Sequence, residues 1–165
     1  MGNWKARRTL LIVGEGDAEE AFLKHVKHLY VSRGCGLMVT IKNAHGKGAL
    51  HVIRWTVRQI DNAAYDSVAV LLDTDADWSA VVERLAHRRR IRILRSDPCF
   101  EALMLRLLGQ TPIGDARALK RQFAPFVNSD STQRNHYAAC FGTACLEAGR
   151  SREPTIDALL RIMGK

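Results

Sequence analysis

Two runs of apolar residues in this chain end directly in acidic residues. Residues 9–16 read Thr-Leu-Leu-Ile-Val-Gly-Glu-Gly, and residues 68–77 read Val-Ala-Val-Leu-Leu-Asp-Thr-Asp-Ala-Asp. Continuous apolar runs of this kind are typical of strands buried in a parallel sheet. Because ligands bind at the carboxyl ends of the strands in open α/β sheets, we expect Glu15 to lie near Asp73, Asp75 and Asp77. Such a group of acids is suited to a hard divalent cation.

The length and composition are those of one globular domain. The chain has 165 residues, of which 47% are hydrophobic and 25% charged, and no apolar run approaches the roughly 20 residues of a membrane span. We expect a cytoplasmic protein, because the basic N-terminus lacks the cleavage site of a secretory signal. The net charge of +8 favours a polyanionic partner such as nucleic acid. The four cysteines form no C-x-x-C pair, which argues against a structural zinc site or a disulfide framework.

The hydrophobic periodicity predicts elements in the order β-α-β-α-β-α-β, followed by helices only. This order predicts an α/β fold with a parallel four-stranded sheet flanked by helices and a helical C-terminal portion. Within a single domain, we assign residues 1–110 to the α/β core and 111–165 to the helical extension. The third and later helices are predicted at Trp78–His87, Cys99–Leu108, Ala116–Phe123, Gln133–Ala148 and Pro154–Met163.

Two local signals predict where helices begin. Asp17 can cap the first helix, with Glu20 three positions further on. Asp97 can cap the helix after the fourth strand, with Pro98 at its first position, where proline is tolerated.

Three familiar motifs are begun but not completed. The acidic run after the third strand resembles a calcium-binding EF loop, yet its sixth and twelfth positions carry Trp78 and Arg84 in place of Gly and Glu. Gly14-Glu15-Gly16 begins like a dinucleotide fingerprint, but Glu19 stands at the third glycine position and would repel pyrophosphate. The segment His45-Gly-Lys-Gly lacks the spacing of a phosphate-binding P-loop.

The acidic signals also have simpler structural readings. Glu15 taken alone would only complement the dipole of the helix that follows it, worth at most about 1 kcal/mol, and Glu101 is a routine choice for a first helical turn. Asp73, Asp75 and Asp77 are harder to explain in this way. Like charges so close together repel each other unless a cation or a proton neutralises them.

For several basic and aromatic residues, packing or exposure to solvent explains their presence without any bound ligand. The arginines at 88–90, 92 and 95 suit a solvated helix end and a phosphate-contacting strip equally well. His25 and His28 are predicted to be a surface pair. Trp55 and Trp78 are predicted to be packing residues.

A Glu-Gly after the first strand and an Asp-x-Asp after a later one resemble the TOPRIM domain, the metal-binding module of topoisomerases, primases and several nucleases. Within that group the chain most resembles the RloB-like proteins. Glu15-Gly-Asp-Ala-Glu19 is similar to their E-G-x-x-E, and Ser96-Asp-Pro-Cys-Phe-Glu101 is similar to their S-N-P-C-F-E. Glu153-Pro-Thr155 resembles their closing segment. The chain departs from the family pattern in having Asp97 for Asn, and Ala102-Leu103 for Leu-Trp after the Glu.

The resemblance implies bound Mg²⁺ or Mn²⁺ and an endonuclease acting on DNA or RNA, with a role in phage defence. It implies metal ligands or nearby acids at Glu15, Glu19, Asp73, Asp75 and Glu101, with Asp77 and Asp97 in support. On this hypothesis Glu15 is the general base, and Lys47 steadies the phosphate or the leaving group. The expected nucleic-acid contacts are Lys47, Arg88, Arg89, Arg90 and Arg95.

Two alternatives remain open on the sequence. One is a catalytically silent nucleic-acid-binding or regulatory module that acts beside an ATPase. The other is a receiver-type phosphotransfer domain, which also gathers acids around Mg²⁺ at strand ends. This second alternative lacks the expected adjacent acid pair, since Gly14 and Gly16 flank Glu15.

Overall fold

The computed structural model of the chain describes residues 7–75 and 77–164, and the basic segment at residues 1–6 lies outside this part. Strands and helices alternate first, as β1 (Arg8–Gly14), α1 (Asp17–Tyr30), β2 (Leu37–Asn43), α2 (Ala49–Asn62), β3 (Ser67–Asp73), α3 (Ala80–Arg88) and β4 (Ile91–Ser96). Helices follow, as α4 (Phe100–Leu107), α5 (Ala116–Phe123), α6 (Thr143–Arg150) and α7 (Pro154–Ile162), with 3-10 helices at Ala124–Val127 and Arg134–Tyr137.

The strands form a parallel sheet in the order β2-β1-β3-β4. The predicted fold class, an α/β fold with a four-stranded parallel sheet flanked by helices, is therefore confirmed. β1 and β3 are the two central strands, and Gly14 is in register with Leu71. The acidic residues that follow β1 and end β3 are consequently neighbours at the carboxyl edge of the sheet.

Alternate residues of each central strand enter different cores. Leu10 and Ile12 pack on one face of the sheet with the aromatic residues of the C-terminal helices. Leu11 and Val13 pack on the other face, against α2 and α3. Both faces of β1 are thus buried, which is why its sequence is a continuous apolar run and does not alternate with polar residues.

The single helix predicted over Gln133–Ala148 is wrong. The described chain forms a 3-10 helix over Arg134–Tyr137 and then α6 from Thr143. Gly142 is extended between them, with φ −71° and ψ 176°. Tyr137 and Phe141 turn inward and are fully buried in an aromatic cluster with Phe22, Phe100 and Phe123.

The predicted start of α1 is also wrong. Gly16 occupies the cap position, and the Glu19 carboxylate accepts a hydrogen bond from its backbone N–H at 3.2 Å. Asp17 instead accepts from the side-chain amide of Asn43 at 2.6 Å. The third position of the helix therefore belongs to Glu19 and not to Glu20.

The starts of two other helices differ from the prediction. α4 begins at Phe100 after Cys99, so Pro98 lies outside the helix and Asp97 does not cap it. α3 begins at Ala80, two residues after the predicted Trp78.

His25 is not the surface residue that its spacing suggested. It is 4% exposed, and its Nε2 lies 2.7 Å from the carbonyl oxygen of Phe141. His28 is exposed, and Trp55 and Trp78 are half-buried packing residues beside the α2 and α3 core, as predicted. Among the described residues, no helix has the length and apolar character needed to cross a membrane.

Candidate functional site

The ends of β1 and β3 are joined through Glu15. Its backbone N–H donates to the carbonyl oxygen of Leu71 at 3.1 Å, and its Oε2 accepts from the backbone N–H of Asp73 at 3.0 Å. Its own carbonyl oxygen accepts from Gly46, in the loop after β2, at 2.6 Å. Three hydrogen bonds, two with β3 and one with the loop after β2, therefore hold Glu15 at the carboxyl edge of the sheet.

Glu19 reaches the same edge from the first turn of α1. It is only 8% exposed. The approach of α1 to β1 depends on Gly14, since a Cβ on this residue would lie 3.0 Å from both the Glu19 Cβ and the Glu20 nitrogen. The glycine thus allows a second carboxylate to lie beside the strand end.

Glu101 comes from the first turn of α4, which follows the edge strand β4. Its carboxylate lies near the thiol of Cys99. Burial, together with the nearby charges of Glu101 and Asp73, raises the pKa of Cys99 to about 11. The thiol is therefore neutral near pH 7 and adds no further negative charge to the acids.

These acids line a cavity of about 440 Å³ at the carboxyl edge of the sheet. This volume is within the range of roughly 300–1,000 Å³ found for ligand sites. The acids of the cavity wall are Glu15, Asp17, Glu19, Asp73 and Glu101. Within residues 7–75 and 77–164, however, no three His, Cys, Asp or Glu side chains are arranged so that they could already hold a metal ion.

Three acids of the cavity, Glu15, Glu19 and Asp73, retain protons more strongly than ordinary carboxylates. Burial and the charges of Glu19, Glu15, Glu101 and Asp75 raise the pKa of Asp73 to about 8. Burial is also the main reason that the pKa of Glu19 rises to about 7, with further repulsion from Glu15 and Glu101. Burial raises the pKa of Glu15 as well, and repulsion from Asp75 and Asp77 adds to the effect.

Two polar atoms beside the cavity are buried without a hydrogen-bond partner among the described residues. They are Asp73 Oδ1 and Ser96 Oγ, and their residues are paired in the register of β3 and β4. A buried polar atom without a partner costs about 1–3 kcal/mol. A ligand that satisfied Asp73 Oδ1 would remove that cost.

Asp75 and Asp77, which follow β3, are exposed and do not line the cavity. Asp77 packs on Gly48, where a Cβ would lie 2.5 Å from its Oδ2. The charges of Asp75 and Asp77 both act on Glu15. These two acids are therefore beside the site without forming its wall.

Two of the predicted site residues lie outside the cavity wall. Asp97 Oδ1 accepts from the hydroxyl of Thr74 at 2.8 Å, which links the segments that follow β3 and β4. Lys47 is exposed in the loop between β2 and α2, where it adopts a left-handed conformation with φ 72°.

The predicted arginine contacts lie around the end of α3 and on β4. Arg88 and Arg90 are exposed. Arg89 pairs with Asp61, and Arg95 pairs with Glu83 at 2.7 Å while its guanidinium lies 4.8 Å from the ring centre of Trp78. A second cavity along this surface is lined by Arg84, His87, Arg88 and Arg95, among others.

Sequence reasoning missed the wall of the cavity that the helical C-terminal portion supplies. Lys120 of α5 and Ser129, Ser131 and Thr132 of the following loop line the same cavity as the acids. No local pattern marks these residues, because Lys120 belongs to an ordinary amphipathic helix and the hydroxyls to a polar loop. Only the packing of α5 beside α4 brings them to the strand ends.

Comparison of the chain with models of known families, with curated proteins and with solved structures gives no match in any of the three.

Proposed function

We propose that this chain is a metal-dependent nucleic-acid phosphodiesterase of the RloB-like TOPRIM kind, cutting DNA or RNA. The observation that carries the proposal is the cavity at the carboxyl edge of the parallel sheet. Four of its acids come from different segments, namely the end of β1, α1, the end of β3 and α4. Parallel sheets bind their ligands at this edge.

The acids of the cavity offer ligand atoms that fit Mg²⁺ or Mn²⁺. These atoms are carboxylate oxygens, which the two cations prefer to nitrogen or sulfur. Asp73 Oδ1 is buried without a hydrogen-bond partner in the described part of the chain, and the raised pKa values of Asp73 and Glu19 report repulsion and burial that a cation would relieve. Glu19, Asp73 and Glu101 would hold the metal, and Glu15 lies beside them. When bound, the metal would neutralise phosphate charge and lower the pKa of a water molecule.

Glu15 is suited to the role of general base. Its Oε2 is held by the Asp73 N–H, which leaves Oε1 to accept the proton of the attacking water. A general base works best when its pKa is near the working pH. Burial raises the pKa of Glu15 in that direction.

The basic surface supports nucleic acid as the substrate. A net charge of +8 attracts a polyanion over a long range. Arg88 and Arg90 are exposed, and Arg89 and Arg95 can exchange their carboxylate partners for phosphates. A role in phage defence follows from the family resemblance and is part of the same proposal, whereas an ATPase partner belongs to the alternative of a catalytically silent regulatory module.

The test is Mn²⁺ titration by calorimetry together with a cleavage assay on plasmid DNA and tRNA. We expect Asp73→Asn to lose both metal binding and cleavage. The matched control is Asp66→Asn, which removes the charge of an exposed acid that accepts hydrogen bonds from Thr9 and does not line the cavity. Cleavage that survives in Asp73→Asn would contradict the proposal. Nucleic-acid binding without turnover under any metal would favour the silent binding module.

A further inference from the structure

The acidic cavity has a second wall, which carries hydrogen-bond donors. This wall is formed by the segment from α5 to the loop that follows the 3-10 helix at Ala124–Val127. We call Lys120, Ser129, Ser131 and Thr132 the C-terminal wall. Hydroxyls and an ammonium group donate hydrogen bonds, whereas the ionised acids of the cavity can only accept them. The cavity therefore has acceptors on the sheet side and donors in the C-terminal wall.

The C-terminal wall is anchored by buried residues on either side of its functional groups. Leu119 and Phe123 are 4% and 2% exposed, which fixes α5 on the core while Lys120 between them remains exposed. The buried hydroxyl of Tyr137 donates to the carbonyl oxygen of Ser131 at 2.7 Å and lies 3.3 Å from that of Ala18. Tyr137 thus connects the C-terminal wall to the first turn of α1, beside Glu19.

Lys120 is the one positively charged residue among the described residues that line the cavity. Its side-chain ammonium group makes no hydrogen bond or ion pair with any described residue. A lysine placed to neutralise the acids would be expected to pair with one of them. Its ammonium group is instead available to an anion that enters the cavity.

We propose that Lys120 binds the phosphate of the nucleic-acid substrate at this site. The inference rests on the proposed function. Lysine is a common phosphate ligand and acts as a point charge with three donors. In this arrangement the phosphodiester lies between the cation-bearing acids and the C-terminal wall, with Lys120 as its direct ligand and Ser129 and Ser131 as further donors.

The binding test compares three variants with the wild type. Lys120→Ala removes the ammonium group, Lys120→Arg keeps its charge, and Arg121→Ala removes one charge from an exposed neighbour on α5 that does not line the cavity. The probe is a fluorescein-labelled single-stranded oligothymidylate, followed by fluorescence anisotropy in the presence of Ca²⁺. All these side chains are exposed, so the variants should fold, and thermal melting checks this.

We expect Lys120→Ala to weaken oligonucleotide binding about tenfold, as the loss of one desolvated charged hydrogen bond does. Arg121→Ala should weaken it less than about twofold, as expected for a screened surface charge, and Lys120→Arg should recover most of the affinity. Equal effects of Lys120→Ala and Arg121→Ala would overturn the assignment of Lys120.

Mn²⁺ calorimetry separates this inference from the proposed function. Lys120→Ala should bind Mn²⁺ at least as tightly as the wild type, because it removes a positive charge beside the acids. Suppose that the wild type binds Mn²⁺ and cuts nucleic acid, but that Lys120→Ala binds the oligonucleotide as tightly as Arg121→Ala does. This result would overturn only the role of Lys120. A wild type that binds neither Mn²⁺ nor the oligonucleotide would overturn both.

Discussion

The backbone N–H of Asp73 donates a hydrogen bond to Oε2 of Glu15 at 3.0 Å, across the ends of two neighbouring parallel strands. The bond holds two carboxylates at one edge of the sheet although their charges repel. It also gives Glu15 a defined orientation, with one oxygen engaged by the backbone. A hydrogen bond between main chain and side chain thus sets the position of Glu15 in the candidate site.

Glu15→Gln should separate the charge of this residue from its structural role. The amide oxygen can still accept from the Asp73 N–H, so the free energy of unfolding should change by less than about 1 kcal/mol. Cleavage should fall by about 100-fold or more, because an amide cannot accept the proton of the attacking water. Initial rates and urea unfolding measure the two effects, and a variant with full cleavage activity would exclude Glu15 as the base.

The stability of the metal-free protein should fall as the pH rises. The ordinary pKa of Asp73, 3.8, applies to the unfolded chain, and the folded chain raises it to about 8. A group whose pKa is raised on folding makes its full contribution to stability below the unfolded value, and this is lost as the pH rises through the folded value. Glu19, with a pKa of about 7, acts in the same direction.

Urea midpoints in EDTA between pH 4 and pH 9 test this dependence. Asp73→Asn should reduce the loss of stability across the range, because the amide does not titrate. Mn²⁺ should stabilise the wild type more at pH 8 than at pH 5, since ligands bind as carboxylates. A wild type and an Asp73→Asn variant with the same pH dependence would show that Asp73 does not titrate as described.

Gly14→Ala should destabilise the protein by about 2 kcal/mol, because the added Cβ meets backbone that cannot move away cheaply. The close atoms are the Glu19 Cβ and the Glu20 nitrogen, both 3.0 Å away. Gly142→Ala is the control, since a Cβ added there would have no described atom within 4 Å other than those of its chain neighbours, and its φ is −71°. It should cost less than about 1 kcal/mol, from a weaker helix cap. Comparable losses in urea unfolding would contradict the tight approach of α1 to β1.

Tyr137→Phe should cost about 1–2 kcal/mol, because it leaves the partly buried carbonyl oxygen of Ser131 without this donor. Hydrogen exchange of residues 128–132 should also become faster, since the C-terminal wall loses its connection to the core. Tyr30→Phe is the control, because its hydroxyl donates to Glu147 in an exposed bond and should cost only a few tenths of a kcal/mol. Unchanged exchange at 128–132 would show that Tyr137 does not hold this loop.

The helical C-terminal portion was the part least accessible to sequence reasoning. α5 was predicted at its observed bounds, Ala116–Phe123, because its apolar spacing is regular. The helix expected over Gln133–Ala148 is broken, since burial of Tyr137 and Phe141 in the aromatic cluster outweighs the continuous helical pattern. Tertiary packing of this kind is not encoded in any local window.

The apolar runs determined the parallel sheet, because a strand buried on both faces needs a continuous apolar sequence. The acids that end these runs determined that Glu15 meets Asp73, because parallel strands end at one edge of the sheet. The tertiary structure alone decided which other groups reach that edge. It brought Glu101 and Lys120 to the cavity, and placed Asp97 and Lys47 outside its wall. The physical reason is that the direction of a side chain near the end of a helix or loop depends on how that element packs. The local sequence pattern does not determine the packing between distant segments.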